Sequence, residues 1–269
     1  MTTSKTQRRK GYIMLSMGRS GTNWLKSISN ATGRMGITGE WMGPSKLGKP
    51  LRSYNAQSYY EEILQHATTP NGRFSIKIFP RHLRFAQANF GFDFIKKCAQ
   101  EHDVKFFLVT REDRFGQAIS ALKAQQSRKW TDDNGKLPDH LRRKIRYNYR
   151  KLCDYYFDID AGYNFWRSYL GINSIDHEAF VYEDLLPNPA PFFESAAKHL
   201  GVAPPESYES QMVIQRNAET EEWRRRFQKD IAKHGVHPDT YNLRQPSASI
   251  SNALRVLAHK PIKSSAGRI

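Results

Sequence analysis

The feature that most constrains this chain is an apolar run ending in a glycine-bracketed basic loop. Residues 12–17 (YIMLSM) read as a buried strand. Gly18-Arg19-Ser20-Gly21-Thr22 follows directly, and Asn23-Trp24-Leu25-Lys26-Ser27-Ile28 can start a helix. Strand, tight loop and helix N-terminus in that order make an anion site. The N–H groups of a first helical turn have no intrahelical acceptor, and the helix dipole is positive there. Glycine permits φ > 0 and close approach of the backbone. Arg19 adds a forked cationic donor that suits phosphate or sulfate oxygens, and Ser20 and Thr22 add hydroxyls.

The loop is not the ATP/GTP type. That pattern is G-x-x-x-x-G-K-[ST]. Here no Lys precedes the hydroxyl residue, the glycine spacing is shorter, and no acidic residue ends a strand to hold magnesium. A kinase or NTPase is therefore disfavoured. Taken alone, the loop is either an anion site or a simple glycine turn.

Three further short runs, 74–79 (FSIKIF), 104–110 (VKFFLVT) and 179–182 (AFVY), have the length and aromatic or β-branched character of buried strands. Helix-compatible stretches separate them, which predicts parallel strands with helical crossovers. Leu141, Ile145, Tyr149, Leu152, Tyr156, Ile159, Tyr163, Trp166 and Leu170 recur at steps of three or four. They form the stripe of one long helix or a broken pair, and core packing explains them. Residues 11–259 read as one domain, and 1–10 and 260–269 as basic tails. No run approaches a membrane span, and the N-terminus lacks the apolar core of a secretory signal. Cys98 and Cys153 are far apart and lack metal-ligand spacing, so two free thiols in a reducing cytosol are expected, with no metal site.

Charge names the kind of partner. Lys+Arg 42 against Asp+Glu 26 gives +16, which favours anions: nucleotides, acidic glycans, anionic lipid or nucleic acid. The clusters Arg142-Arg143-Lys144 and Arg224-Arg225-Arg226 are basic, but no standard nucleic-acid motif accompanies them. Nucleic acid is not expected as a partner. Attraction to an anionic glycolipid or membrane surface is compatible with the charge.

A second segment completes the pattern. After the third strand comes Arg111-Glu112-Asp113-Arg114-Phe115-Gly116-Gln117-Ala118-Ile119-Ser120, with Asp113 placed to cap a helix over 114–129. An Arg at the strand end and a Ser two to three turns into the helix can clamp a second phosphate. The first loop resembles the 5′-phosphosulfate loop of sulfotransferases, and Arg111 to Ser120 resembles their 3′-phosphate segment. With Gln125-Gln126 and Trp130 after it, the segment is similar to bacterial carbohydrate sulfotransferases that act on trehalose or lipopolysaccharide. Ala31-Thr32-Gly33-Arg34-Met35-Gly36 followed by Glu40, and Phe180-Val181-Tyr182-Glu183-Asp184-Leu185 with Pro189 and Leu200-Gly201-Val202, are similar too. So is Arg216 with Glu221-Glu222-Trp223 and Arg226-Phe227, which resembles a C-terminal segment that closes over the nucleotide. The likeness runs from about 12 to 230, and its specificity lies in the order and spacing of the motifs.

The resemblance implies an α/β fold, a parallel sheet flanked by helices, related to P-loop nucleotide-binding proteins. It implies 3′-phosphoadenosine 5′-phosphosulfate (PAPS) as donor, no metal, and a hydroxyl of a carbohydrate or glycolipid as acceptor. Monomer and homodimer both stay open. The implied donor contacts are Gly18, Arg19, Ser20, Gly21, Thr22, Asn23, Arg111, Ser120, Arg216 and Trp223, with Glu40 as base and Arg19 as electrostatic catalyst. Two departures stand out. Many sulfotransferases place the 3′-phosphate Arg eight residues before the Ser, where this chain has Glu112, so Arg111 and Arg114 are both candidates. Met17-Gly18 also stands where Pro often precedes the basic residue. His66, His82 and His102 are rival bases in ordinary helix or loop contexts. Trp24, Trp41 and Trp130 are candidates to stack on a sugar, and 43–59, rich in Gly, Pro and Ser, is expected to be an acceptor-side loop.

Overall fold

A computed structural model describes residues 8–43, 46–127, 145–210 and 218–236. Arg216, Trp130, Leu141, Arg142-Arg143-Lys144, the 260–269 tail and most of the 1–10 tail lie outside the described residues.

All four expected strands form: β1 (Lys10–Leu15), β2 (Phe74–Ile78), β3 (Asp103–Thr110) and β4 (Glu178–Val181). They make one parallel sheet in the order β2-β1-β3-β4. Alternation along β1 sends Ile13 and Leu15 to one face, and Tyr12 and Met14 to the other. The first face packs on α2 (Ala56–Ala67), α3 (Pro80–Phe90) and α4 (Phe94–Glu101), and the second on α1 (Thr22–Ala31) and α8 (Ala190–Leu200). Both faces of β1 and β2 are thus buried, as parallel strands require.

A third cluster joins α5 (Arg114–Ser127), α6 (Tyr149–Ile172) and α9 (Ala218–His234). The predicted stripe is shorter than its periodicity suggested. Asn148 accepts the Lys151 N–H and starts α6 at Tyr149, so Ile145 precedes the helix. Leu152, Ile159, Tyr163, Trp166 and Leu170 are buried along it. The Gly/Pro/Ser-rich stretch also ends early. Asn55 and Ser58 form a capping box, so 56–59 is already helix α2.

The chain leaves β1 toward β2 on one side and returns to β3 on the other. The carboxyl ends of β1 and β3 therefore flank a topological switch point, where crevices form in open α/β sheets. The glycine loop follows β1 there, and Arg111–Asp113 follows β3.

Candidate active site

The loop after β1 turns on two left-handed residues, Arg19 at φ 65° and Gly21 at φ 82°. Gly21 is the N-cap of α1, which has no side-chain cap and no acidic residue in its first turn. Its positive end is left for an external anion. A Cβ on Gly21 would come within 2.1 Å of the Tyr182 ring in α7 (Tyr182–Leu185). Gly21→Ala is expected to lower the melting temperature by several degrees, because the φ penalty and the clash add. It should also weaken anion binding at least tenfold. Thermal melts and calorimetry check both.

The loop is held from the β3–α5 side. Gln117 Nε2 donates to Gly18 O at 2.8 Å, and Arg111 Nη1 donates to Arg19 O at 3.0 Å. In a planar trans peptide the N–H opposes the C=O. Gripping these two carbonyls thus turns the N–H groups of Arg19 and Ser20 away from α5. Arg19 Nε donates to Ser120 Oγ at 2.8 Å. The two segments singled out in the sequence therefore meet, although about a hundred residues separate them. Ser20 and Thr22 are buried, and the Ser20 hydroxyl bonds the Ser16 hydroxyl at 2.6 Å. In this state they stiffen the loop.

Asp113 caps α5, accepting the Gly116 N–H at 2.9 Å. It also accepts Arg224 Nη2 of α9 at 2.6 Å and lies 3.5 Å from Arg111. Burial alone would push its carboxyl up. The Arg224 and Gly116 hydrogen bonds and the two guanidinium charges hold it at about 2. Trp223 is buried instead in the third cluster, beneath Lys123 and edge-on to Tyr147. The α9 side chain that reaches the site is Arg224, since the apolar indole packs toward α5 and α6. Arg111 also faces Glu183 at 3.7 Å, and Arg114 lies over the Tyr163 ring. Arg111 Nε and Arg114 Nη1 are buried without a hydrogen-bond partner. Two such donors beside the loop fit an oxyanion.

Glu40 is placed by a buried hydroxyl network. The Tyr12 hydroxyl meets Ser29 and Thr38, and Thr38 Oγ1 meets Ser75 Oγ at 2.6 Å. Lys77 N donates to Gly39 O, pinning the segment to β2. Glu40 then contacts Lys77 Nζ at 3.0 Å and Arg81 Nη2 at 2.9 Å. Burial pushes its carboxyl up, but these two cations dominate and hold it at about 2. His82 is not in an ordinary context, because its Nε2 lies 3.8 Å from Glu40. Burial lowers that ring to about 3, so it is neutral at neutral pH.

Lys77 is the residue that sequence reasoning missed. Its side chain is only 3% exposed, and Nζ also meets Asn23 Oδ1 at 2.5 Å in the first turn of α1. The cation that the loop lacks in sequence thus arrives from the next strand. Its signal was present: a lone Lys between isoleucines in a fully buried parallel strand has no water to face and needs a partner. Trp24 lies edge-on to Tyr182, and Trp41 stacks on His66.

An uncapped helix start with Lys77 of β2 at its first turn and Arg19 and Arg111 on its loop, with a carboxylate alongside, is the arrangement of a protein suited to phosphate- or sulfate-type groups. The chain belongs to the Stf0 sulphotransferase family, whose profile matches residues 11–230, and it is a sulfotransferase. Among solved structures, a sulfotransferase from Alicyclobacillus acidocaldarius is similar at 13% identity, over 94% of this chain and 97% of that one, with TM-score 0.42. A retinol dehydratase solved with retinol and PAP is similar at 14% identity, over 88% and 71%, with TM-score 0.38. No curated protein matches the chain. Among the described residues, no helix is long and apolar enough to cross a membrane.

Proposed function

We propose that this sulfotransferase moves the sulfuryl group of PAPS to a hydroxyl of a carbohydrate or glycolipid. The observation that carries the donor reading is the meeting of Arg19, Ser120 and Arg111 around one loop. The loop N–H groups and Arg19 hold the 5′-phosphosulfate. Ser120 with Arg111 or Arg114 holds the 3′-phosphate, and Arg224 steadies that end through Asp113. Arg216 and Trp223 belong to the same proposal only as the segment over the nucleotide. The likeness to trehalose- and lipopolysaccharide-type enzymes supports the acceptor class, and the +16 charge suits an anionic glycolipid surface in the cytosol.

In the reaction an acceptor hydroxyl attacks sulfur in line, and charge builds on the leaving 5′-phosphate. Catalysis is then positioning plus electrostatics. Arg19 and Lys77 stabilise the developing charge. Glu40, ionised at neutral pH, takes the acceptor proton. Lys77 makes it a weak base in the free enzyme. An anion at the loop offsets part of the Lys77 charge and so raises the basicity of Glu40 as the donor settles.

The deciding experiment is calorimetry with 3′-phosphoadenosine 5′-phosphate (PAP) against ATP. PAP is expected to bind and ATP not. Arg19→Ala should weaken PAP by roughly ten- to a hundredfold, the range for a lost charge-assisted pair. Failure of PAP to bind sinks the donor reading.

A further inference from the structure

We propose, resting on the PAPS reading above, that Glu183 of α7 is a positioning residue for the donor's 3′-phosphate. It fixes Arg111 and the turn behind it, and so sets the preference for a 3′-phosphorylated nucleotide. Arg111, rather than Arg114, is then the guanidinium that meets that phosphate.

Strand register brings the parts together. β3 and β4 are parallel and pair Thr110 with Val181. The next residues, Arg111 and Tyr182, therefore leave the sheet side by side. Arg111 leads through Glu112 and Asp113 into α5, whereas Tyr182 opens the single turn of α7. Glu183 reaches back across the gap. One of its carboxylate oxygens accepts the Glu112 N–H at 2.9 Å, and the other accepts the Asp113 N–H at 3.2 Å. These two groups follow the strand and precede the helix, so neither ladder nor helix bonds fall to them. Arg111 Nε lies 3.7 Å from the second oxygen.

The guanidinium of Arg111 is held on several sides. Its Cζ lies 5.2 Å from the centre of the Tyr182 ring. Nη1 reaches Arg19 O, and Nη2 faces Asp113 at 3.5 Å. A planar fork placed in this way has little rotamer freedom left to lose on binding. Arg114 turns elsewhere, onto the Tyr163 ring and Asp160 of α6. Tyr182 also closes the space over Gly21, so α7 touches both halves of the donor site.

A carboxylate this near could instead oppose an anion by its charge. The Glu183 side chain is 26% exposed, so water screens that charge, while its two hydrogen bonds are local and directional. Orientation therefore outweighs repulsion. Asp184 shares the acidic first turn of α7 but is exposed, which makes it the natural control.

Calorimetry on the full chain compares PAP with adenosine 5′-monophosphate (AMP), which lacks the 3′-phosphate. Wild type should bind PAP at least about tenfold more tightly than AMP, as a charge-assisted contact gives. Glu183→Ala removes the charge and both acceptor oxygens. It should weaken PAP about tenfold and AMP less than about twofold, the pattern of a lost outer partner that orients a ligand-holding group. Glu183→Gln removes the same charge but keeps one acceptor oxygen, so its PAP affinity should fall between those of wild type and Glu183→Ala. Asp184→Ala should leave both affinities within about twofold, and adding Glu183→Ala to Arg111→Ala should weaken PAP less than about twofold further. Glu183 has no such role if both of its variants bind PAP as tightly as wild type or more tightly, or if Glu183→Ala weakens AMP as much as PAP. The same holds if Asp184→Ala matches it, or if its cost is undiminished without Arg111. A wild type that does not prefer PAP to AMP overturns the 3′-phosphate reading itself, and the role of Glu183 with it.

Discussion

Glu40→Gln should reduce turnover by roughly 10²- to 10⁴-fold, the usual worth of a positioned general base, while PAP binding stays within a few-fold of wild type. That loss corresponds to about 3–5 kcal/mol of transition-state stabilisation. The amide is nearly isosteric and its one carbonyl oxygen can still accept from Lys77, at the cost of the Arg81 contact at the exposed side, so the fold survives, and single-turnover kinetics isolate the chemical step. The variant should also change acid behaviour. The folded pKa of Glu40 is depressed to about 2 from 4.5. Its contribution to stability is therefore complete above pH ~4.5 and lost as pH falls toward 2. Acid melts of Glu40→Gln should lack this component and retain the similar one from Asp113. Near-normal turnover removes Glu40 from the mechanism.

Lys77→Met should be as severe for catalysis and mild for stability. Methionine fills nearly the same volume and removes the desolvated ammonium; removing one member of a buried pair destabilises where it leaves the partner charge uncompensated, and here that partner is Glu40, whose side chain is 33% exposed. Glu40 keeps Arg81 and its partial exposure to water. The melting temperature should hold within a few degrees while turnover falls by about 10²- to 10³-fold, the scale of one lost electrostatic contact to developing charge. The pH profile separates this role from a structural one. With Lys77 gone, the Glu40 pKa rises. A base must be deprotonated to act, so the acid limb of kcat/KM should move upward in pH. An unmoved limb means that Lys77 does not act on Glu40.

The sequence made the frame legible because parallel strands buried on both faces read as short apolar runs. The turn from β1 into α1 was legible because strand, glycine turn and helix start are consecutive. Asp113 was readable as a cap for the same local reason. Lys77, Arg81 and His82 were not legible as a group, since what joins them is Glu40, some forty residues earlier and brought in by hydroxyls on Tyr12, Ser29, Thr38 and Ser75. Arg224 was lost inside a basic run, Arg224-Arg225-Arg226, that reads in sequence only as a nucleic-acid cluster. Trp223 drew attention as an aromatic near the expected closing segment, but its packing partners on α5 and α6 are set by tertiary structure alone.

The grip of Gln117 and Arg111 on the carbonyls of Gly18 and Arg19 spans 99 and 92 residues of chain. A loop shaped by such distant hands has a birth order. An emerging N-terminal segment, through β2, holds the whole glycine motif but not the side chains that set its peptide planes. The loop should therefore take its final shape during synthesis only once α5 has left the ribosome and packed against it, as Gln117 of α5 holds Gly18.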